Sequence, residues 1–161
     1  MSEDVTDKPL PPAPEMELAT TAHFMHLAED SFQPMESSDS FLLRTTDIEK
    51  LSGGAVGARV YRAVPNGKKH TTPWHWHEWG YQVGYITRGW AIYEFEGVGE
   101  VRVEAGSFLF QPPNNRHREL DSSDDFEGIE ITFPGKVKTI GIVPDEAEPN
   151  GWKQFEVEPE G

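Results

Sequence analysis

The middle of the chain predicts an all-β domain, built as an antiparallel sandwich or barrel. Short segments there alternate apolar and polar residues, or are rich in aromatic and β-branched residues, as strands are. Gly, Pro, Asn and Asp separate these segments at regular intervals and mark turns. None of the segments has convincing helical spacing of its apolar residues. This succession of short strands is typical of sandwiches and barrels.

The strand candidates follow one another closely. In chain order they are 41–45, 55–64, 70–77, 81–87, 90–97, 100–105, 107–111, 116–120 and 126–133. Ile129, Ile131 and Phe133 share one face of the last candidate, and residues 136–143 have some strand character. We expect five aromatic residues in the core: Tyr85, Tyr93, Phe95, Phe108 and Phe110.

The formal net charge of −14 is concentrated at the two ends of the chain. Residues 1–40 hold nine acids and one base, and residues 144–161 hold six acids and one base. We therefore divide the chain into an acidic, proline-rich N-terminal extension (1–39), a β-domain (40–143) and an acidic C-terminal tail (144–161). The nearly neutral β-domain disfavours nucleic-acid binding, because phosphate contacts require a basic face.

The N-terminal extension predicts little structure. Its proline-rich start has too few apolar residues to offset the entropy of ordering. A short helix is possible at 20–33, where Phe24, Leu27 and Ala28 would share one side.

Composition also bears on location and chemistry. The chain has no cysteine, which excludes disulfides, thiolate metal sites and a cysteine nucleophile. Its N-terminus lacks the features of a signal peptide, and no apolar run is long enough to cross a membrane. We therefore expect a cytoplasmic protein without membrane association.

The first candidate site lies in the stretch WHWHEWG at 74–80. His75 and His77 are two residues apart, so on a strand both imidazoles lie on the same face. Imidazole is a preferred ligand of first-row divalent metals, and the amide oxygen of Gln82 can complete the set. Same-face histidines also occur on polar strand surfaces without a metal, so further ligands are needed.

A third imidazole comes from the stretch QPPNNRHREL at 111–120. Asn114 can adopt the left-handed conformation of a tight turn that begins the strand of His117. Three histidines and one glutamine on three strands would make a four-ligand site. One or two coordination positions would stay open for water, substrate or dioxygen.

The two stretches resemble the two motifs of the cupin superfamily, G(x)5HxH(x)3–4E(x)6G and G(x)5PxG(x)2H(x)3N. The matching residues are His75, His77, Gly89, Gly106, Pro112 and His117. Gln82 stands where the family usually has glutamate, and Lys69 where it has the first glycine. In the second motif, Asn114 replaces the inner glycine and Asp121 the final asparagine. The resemblance covers about residues 40–133.

The resemblance implies a single cupin β-barrel, a jelly roll or double-stranded β-helix, with extensions at both ends. It also implies one divalent transition metal per chain (Fe, Mn, Ni, Zn or Cu), held by His75, His77, Gln82 and His117. A homodimer is expected as well. Because Gln82 is neutral, the metal would keep its full positive charge and act as a stronger Lewis acid.

Two carboxylates are candidate catalytic residues. Glu119 follows His117 by two positions, so it shares the ligand face of its strand. Glu78 follows His77 directly and faces away unless a bulge turns it inward, where it could serve as a general base or support a ligand.

Three functions fit these residues. The preferred hypothesis is a mononuclear metal-dependent dioxygenase acting on a small organic molecule. The second is a redox-neutral lyase or isomerase with the metal as Lewis acid and a base such as Glu119. The third is a non-catalytic binding or sensing protein. Fold analogy cannot choose among them, because cupins host all three classes.

Overall fold

The computed structural model describes residues 19–26, 28–35, 38–66, 68–78 and 80–157. A 3-10 turn at Glu29–Ser31 precedes the first strand. The strands and the one α-helix are, in chain order, β1 Gln33–Pro34, β2 Phe41–Thr45, α1 Ile48–Leu51, β3 Gly57–Ala63, β4 His75–Glu78, β5 Tyr81–Arg88, β6 Trp90–Phe95, β7 Gly99–Glu104, β8 Phe108–Gln111, β9 His117–Ser122, β10 Glu127–Phe133, β11 Lys138–Pro144 and β12 Trp152–Glu156.

The strands form two six-stranded antiparallel sheets. The first sheet has the order β1-β2-β3-β10-β5-β8, and the second has the order β12-β11-β4-β9-β6-β7. Strands that follow one another along the chain often lie in different sheets, as in a jelly roll. The predicted all-β class and the jelly-roll barrel are confirmed. No helix among the described residues is long and apolar enough to cross a membrane.

The N-terminal helix considered for 20–33 is not formed by the described residues. Residues 22–26 have no regular structure, and Gln33–Pro34 is a strand that pairs with β2. Phe24 is 84% exposed, so the apolar side of such a helix would have nothing to pack against. Arg44 instead holds this segment by donating a hydrogen bond to the carbonyl oxygen of His26, at 2.8 Å. Leu27 and residues 1–18 lie outside the described residues.

The C-terminal tail contributes a strand that the division at residue 144 did not predict. Residues 145–151 turn back, with the Asp145 amide donating to the carbonyl oxygen of Gly151 at 2.9 Å. β12 then adds to the edge of the second sheet, paired with β11. The indole of Trp152 packs against that of Trp74, with 5.5 Å between ring centroids.

The core lies between the two sheets, where inward side chains meet. It is formed by Phe41, Ala63, Ile86, Ala91, Tyr93, Phe95, Val103 and Phe126. The prediction that Tyr93 and Phe95 are buried is confirmed.

For three other aromatic residues the core prediction is wrong. Phe108 is 75% exposed and Phe110 is 62% exposed, and Tyr85 packs against the ring of Phe108 at 4.7 Å. These residues alternate along their strands with Gln82 and Gln111, which are buried. The polar face of β5 and β8 therefore points inward, and the aromatic face points outward.

We call this outward surface of the first sheet the outer apolar face. Its members are Tyr81, Tyr85, Phe108, Phe110 and Phe133, which are linked by ring contacts with centroid distances of 4.7–5.8 Å.

Candidate metal centre

Three histidines from two strands converge at one point inside the barrel. His75 and His77 project from β4, and His117 lies directly opposite His75 on β9. One ring nitrogen of each can be chosen so that all three atoms lie within 4.8 Å of one another. His77 and His117 are buried. The structure thus brings together the histidines that the sequence predicted as ligands.

Each of the three rings is oriented by a hydrogen bond at Nδ1. Each Nδ1 lies 2.9–3.0 Å from an oxygen; the partners are the Pro73 carbonyl for His75, the Thr139 hydroxyl for His77 and the Asn115 carbonyl for His117. A carbonyl can only accept, so the Nδ1 atoms of His75 and His117 carry the proton. The Nε2 lone pairs then remain for a metal, as in metal sites whose ligands are oriented by outer partners.

Burial keeps two of these rings neutral. Burial and repulsion from the nearby His75 together lower the pKa of His117 to about 3, against an opposing effect of the Asn115 carbonyl. Burial also lowers the pKa of His77 well below its ordinary value, with repulsion from His75, His117 and Arg59 adding to it. A neutral imidazole is the form that binds a metal.

Gln82 completes this arrangement from β5 in the opposite sheet, where it is 2% exposed. In one of the two orientations of its amide, both the oxygen and the nitrogen have a hydrogen-bond partner. Oε1 then lies 2.6 Å from Nε2 of His77, and Nε2 lies 2.7 and 2.9 Å from the carboxylate oxygens of Glu130. In the other orientation, Nε2 of Gln82 would instead donate to Oε1 of Gln111 at 3.0 Å.

The donor set fits a divalent transition metal. When Nδ1 of His77 donates to Thr139, its Nε2 is an acceptor, like Oε1 of Gln82. Two acceptor atoms 2.6 Å apart repel unless a proton joins them or both bind the same cation. Neutral nitrogen and amide oxygen donors are common ligands of first-row transition metals.

Glu119 lies in the same cavity as the histidines. Its carboxylate Oε2 accepts a hydrogen bond from the hydroxyl of Thr72, and its backbone amide donates to the same hydroxyl at 3.0 Å. Tyr93, on the neighbouring strand β6, is paired with Glu119. Burial raises the pKa of Tyr93 well above its ordinary value, and Glu119 and Glu130 raise it further, so the phenol keeps its proton.

The structure does not bring Glu78 to this site. Glu78 lines a separate, shallow depression with Trp76, Ile140 and Phe155. Strand alternation places it on the face of β4 opposite that of His77, and the strand has no bulge there to turn it inward. The structure therefore places Glu78 away from the three histidines.

Sequence reasoning missed a polar network on the inner face of the first sheet. Nε and Nη2 of Arg59 lie 2.7 Å from Oε1 of Glu130, and the hydroxyl of Tyr61 donates to the same oxygen at 3.3 Å. The alternation of residues 126–133 could have indicated it, because it places Glu130 on the face of the strand opposite that of Ile129 and Ile131. The sequence did not reveal that the polar side of this strand faces the interior.

These residues line a cavity of about 890 Å³ between the sheets. Its polar wall contains the three histidines, Gln82, Glu119 and Glu130. Apolar side chains form the remaining surface, among them Phe41, Ile86, Leu109 and Phe126. A cavity of this size and mixed lining is typical of a small-molecule site.

Comparison with known proteins gives the same fold. Residues 63–127 match the family model of the cupin domain. KdgF from Halomonas sp. superimposes with a TM-score of 0.59 and 20% identity, over 71% of this chain and 94% of that chain. The polyketide cyclase RemF from Streptomyces resistomycificus gives 0.61 and 13%, over 77% and 89%.

A third structure, the nucleoside dehydratase Pac13, superimposes with a TM-score of 0.53 and 9% identity, over 83% of this chain and 92% of that chain. At these identities the likeness concerns the fold alone. No curated protein matches the chain by sequence.

Proposed function

We propose, from the premise that this chain belongs to the cupin superfamily, that it is a metal-dependent enzyme acting on a small organic molecule inside its barrel. We further propose that the reaction is redox-neutral, an isomerisation or an elimination. One observation carries both proposals: three imidazoles share a cavity with the carboxylates of Glu119 and Glu130. Metal ligands beside proton-transfer groups are what such reactions require.

The residues that would hold the metal are His75, His77, His117 and Gln82. Bound there, a divalent metal would supply Lewis-acid chemistry, polarising a carbonyl or hydroxyl oxygen of the substrate. Because the four donors are neutral, none of its positive charge would be cancelled by a ligand.

The chain itself supplies the proton transfer. Oε2 of Glu119, positioned by the hydroxyl of Thr72, would accept a proton from the substrate. The neutral phenol of Tyr93, on the neighbouring strand β6, would donate a hydrogen bond to a substrate oxygen on which negative charge develops. The apolar walls would exclude water and favour a substrate with an apolar portion.

A substrate panel tests the reaction class. The metal-free protein is reloaded with Fe(II), Mn(II), Ni(II), Zn(II) or Cu(II) and offered small diols, hydroxy acids and diketones while dissolved oxygen is recorded. We expect product without oxygen consumption, and no product from His117→Ala. Oxygen consumed in proportion to product would establish the dioxygenase instead. Tight binding without turnover under any metal would establish a binding or sensing protein.

We also propose that two copies associate through the outer apolar face. Five aromatic rings lie there, on a chain with a formal net charge of −14. Its edge strand β8, with the sequence FLFQ, has none of the charges that commonly protect a sheet edge.

A second copy is the partner that this face fits. Phe108, Phe110 and Tyr81 are 75%, 62% and 39% exposed, and an aromatic side chain buries about 150–250 Å². These three rings alone would contribute on the order of 300 Å² per copy, against the ~800 Å² per partner of a standard interface. A two-fold axis near β8 would pack the outer apolar face of one copy against the same face of the other. The surrounding strands would contribute the rest of the buried interface area.

A further inference from the structure

Gln82 lies between a predicted metal ligand and a carboxylate that no cupin motif includes. In the amide orientation that gives both ends a partner, its Oε1 lies 2.6 Å from Nε2 of His77, and its Nε2 lies 2.7 Å from Oε2 of Glu130. A hydrogen bond from an amide to an ionised carboxylate is stronger than one between neutral groups. The contact therefore selects one of the two orientations of the amide.

Glu130 is itself fixed in place. Arg59 holds its Oε1 through Nε and Nη2, both at 2.7 Å, and the hydroxyl of Tyr61 donates to the same atom. The side chains of Arg59 and Glu130 are 22% and 18% exposed. Restricted access to water makes this a better-defined pair than an ion pair on the surface.

The sheet leaves room for Glu130 to reach Gln82. The residue directly opposite Glu130 on β5 is Gly84, which has no side chain, and the residue opposite Gln82 on β10 is Thr132. Glu130 and Gln82 are thus diagonal neighbours on one face, a relationship that long side chains can bridge. A larger residue at position 84 would meet the side chain of Leu109, whose Cβ lies 3.5 Å from the position of an added Cβ.

We propose that Glu130 is the positioning residue of the metal centre: it turns the amide of Gln82 so that Oε1, and not Nε2, faces the metal. The proposal rests on the metal site of the proposed function. It also gives a physical reason for the amide at position 82. A glutamate there would place a second carboxylate about 2.7 Å from the carboxylate of Glu130. Two carboxylates so close do not both ionise at neutral pH.

A double-mutant cycle tests this role on the full-length, metal-free protein. Co(II) affinity is measured by calorimetry, and the visible spectrum of bound Co(II) reports the coordination set. We expect Glu130→Leu to lower the affinity about tenfold or more, as loss of an outer partner of a metal ligand does. Its spectrum should match that of Gln82→Leu, because in both variants the amide oxygen leaves the metal.

The double-mutant cycle distinguishes the positioning role of Glu130 from a purely structural one. In the Gln82→Leu background, Glu130→Leu should cause no further loss of affinity, because the interaction it removes is already absent. Glu130→Gln should retain the parental spectrum, since its amide oxygen can still accept from Nε2 of Gln82. Glu127→Leu removes another carboxylate of β10, one that pairs with Arg62 and does not line the cavity. It serves as the matched control and should keep the oxygen ligand.

Failure of this inference differs from failure of the proposed function. Additive losses in the two variants, or a parental Co(II) spectrum in Glu130→Leu, would overturn the role of Glu130 while leaving a metal enzyme intact. Coupled losses without turnover of any substrate would preserve the role of Glu130 and reject the enzyme. A parent protein that binds no Co(II) would overturn both. Unfolding of the metal-free variants is followed by circular dichroism, so that a folding defect is not read as a loss of affinity.

Discussion

His75 and His117 stand directly opposite each other on β4 and β9, and their ring centroids are 4.2 Å apart. This register places a histidine of each sequence motif against the other, although 41 positions separate them in the chain. The two rings contribute nitrogens to the same small region, together with His77. Removal of either ring should therefore disrupt the whole centre.

The first prediction concerns metal content. His117→Ala should purify with less than about a tenth of the parental metal, because loss of a direct ligand costs at least as much as the 10–100-fold loss caused by removing an outer partner. His23→Ala, at an exposed histidine outside the barrel, is the matched control and should keep the parental content. Elemental analysis measures both, and equal metal in parent and His117→Ala would reject the ligand assignment.

The second prediction compares two glutamates. Once a substrate is found, Glu119→Gln should lower kcat about 100-fold or more while the metal content stays parental, because the carboxylate would transfer a proton. Glu78→Gln should leave kcat within about twofold, since that side chain lies outside the cavity. Steady-state kinetics with metal analysis decides, and an active Glu119→Gln enzyme would remove Glu119 from the mechanism.

The third prediction is the pH dependence of stability in the metal-free protein. The pKa of His117 is about 3 in the folded state, below its ordinary value of 6.5. As the pH falls from about 6.5 towards about 3, the unfolded chain takes up a proton at this position that the folded chain does not. The free energy of unfolding should therefore decrease with falling pH, by up to about 1.4 kcal/mol per pH unit from this ring.

The contribution of His117 can be isolated by substitution. His117→Asn should show a shallower loss of stability between pH 6.5 and 5 than the parent, while His23→Asn should follow the parent. His77 contributes in the same direction, because burial also lowers its pKa. Urea unfolding at several pH values measures these slopes. Identical slopes in parent and His117→Asn would mean that the ring protonates freely in the folded protein.

The fourth prediction concerns association. The parent should sediment as a dimer, and the double variant Phe108→Asp, Phe110→Asp should sediment as a monomer, because it places two charges per copy in an apolar contact. Val98→Asp is a matched control: this valine is 72% exposed but lies in the turn between β6 and β7. Analytical ultracentrifugation distinguishes the species. A monomeric parent, or a double variant that remains dimeric, would rule out this interface.

The sequence alone was sufficient to locate the strands between residues 41 and 133 and to place His75 and His77 on one face. Each of the nine strand candidates overlaps a strand in the structure, because alternation and turn residues are local properties. His75 and His77 were assigned to one face from their spacing alone. The pairing of His117 with them could be inferred only through the motif resemblance, since spacing carries no information about which distant strands meet.

The sequence did not determine which face of the first sheet points inward. The period of two is the same whether the polar or the apolar side is buried, and only the packing of two sheets distinguishes them. Phe108 and Phe110 therefore lie outside, and Gln82, Gln111 and Glu130 lie inside. Tertiary structure alone decided this, because the interior contains a group of histidine, glutamine and glutamate side chains that need hydrogen-bond partners where a core would otherwise be apolar.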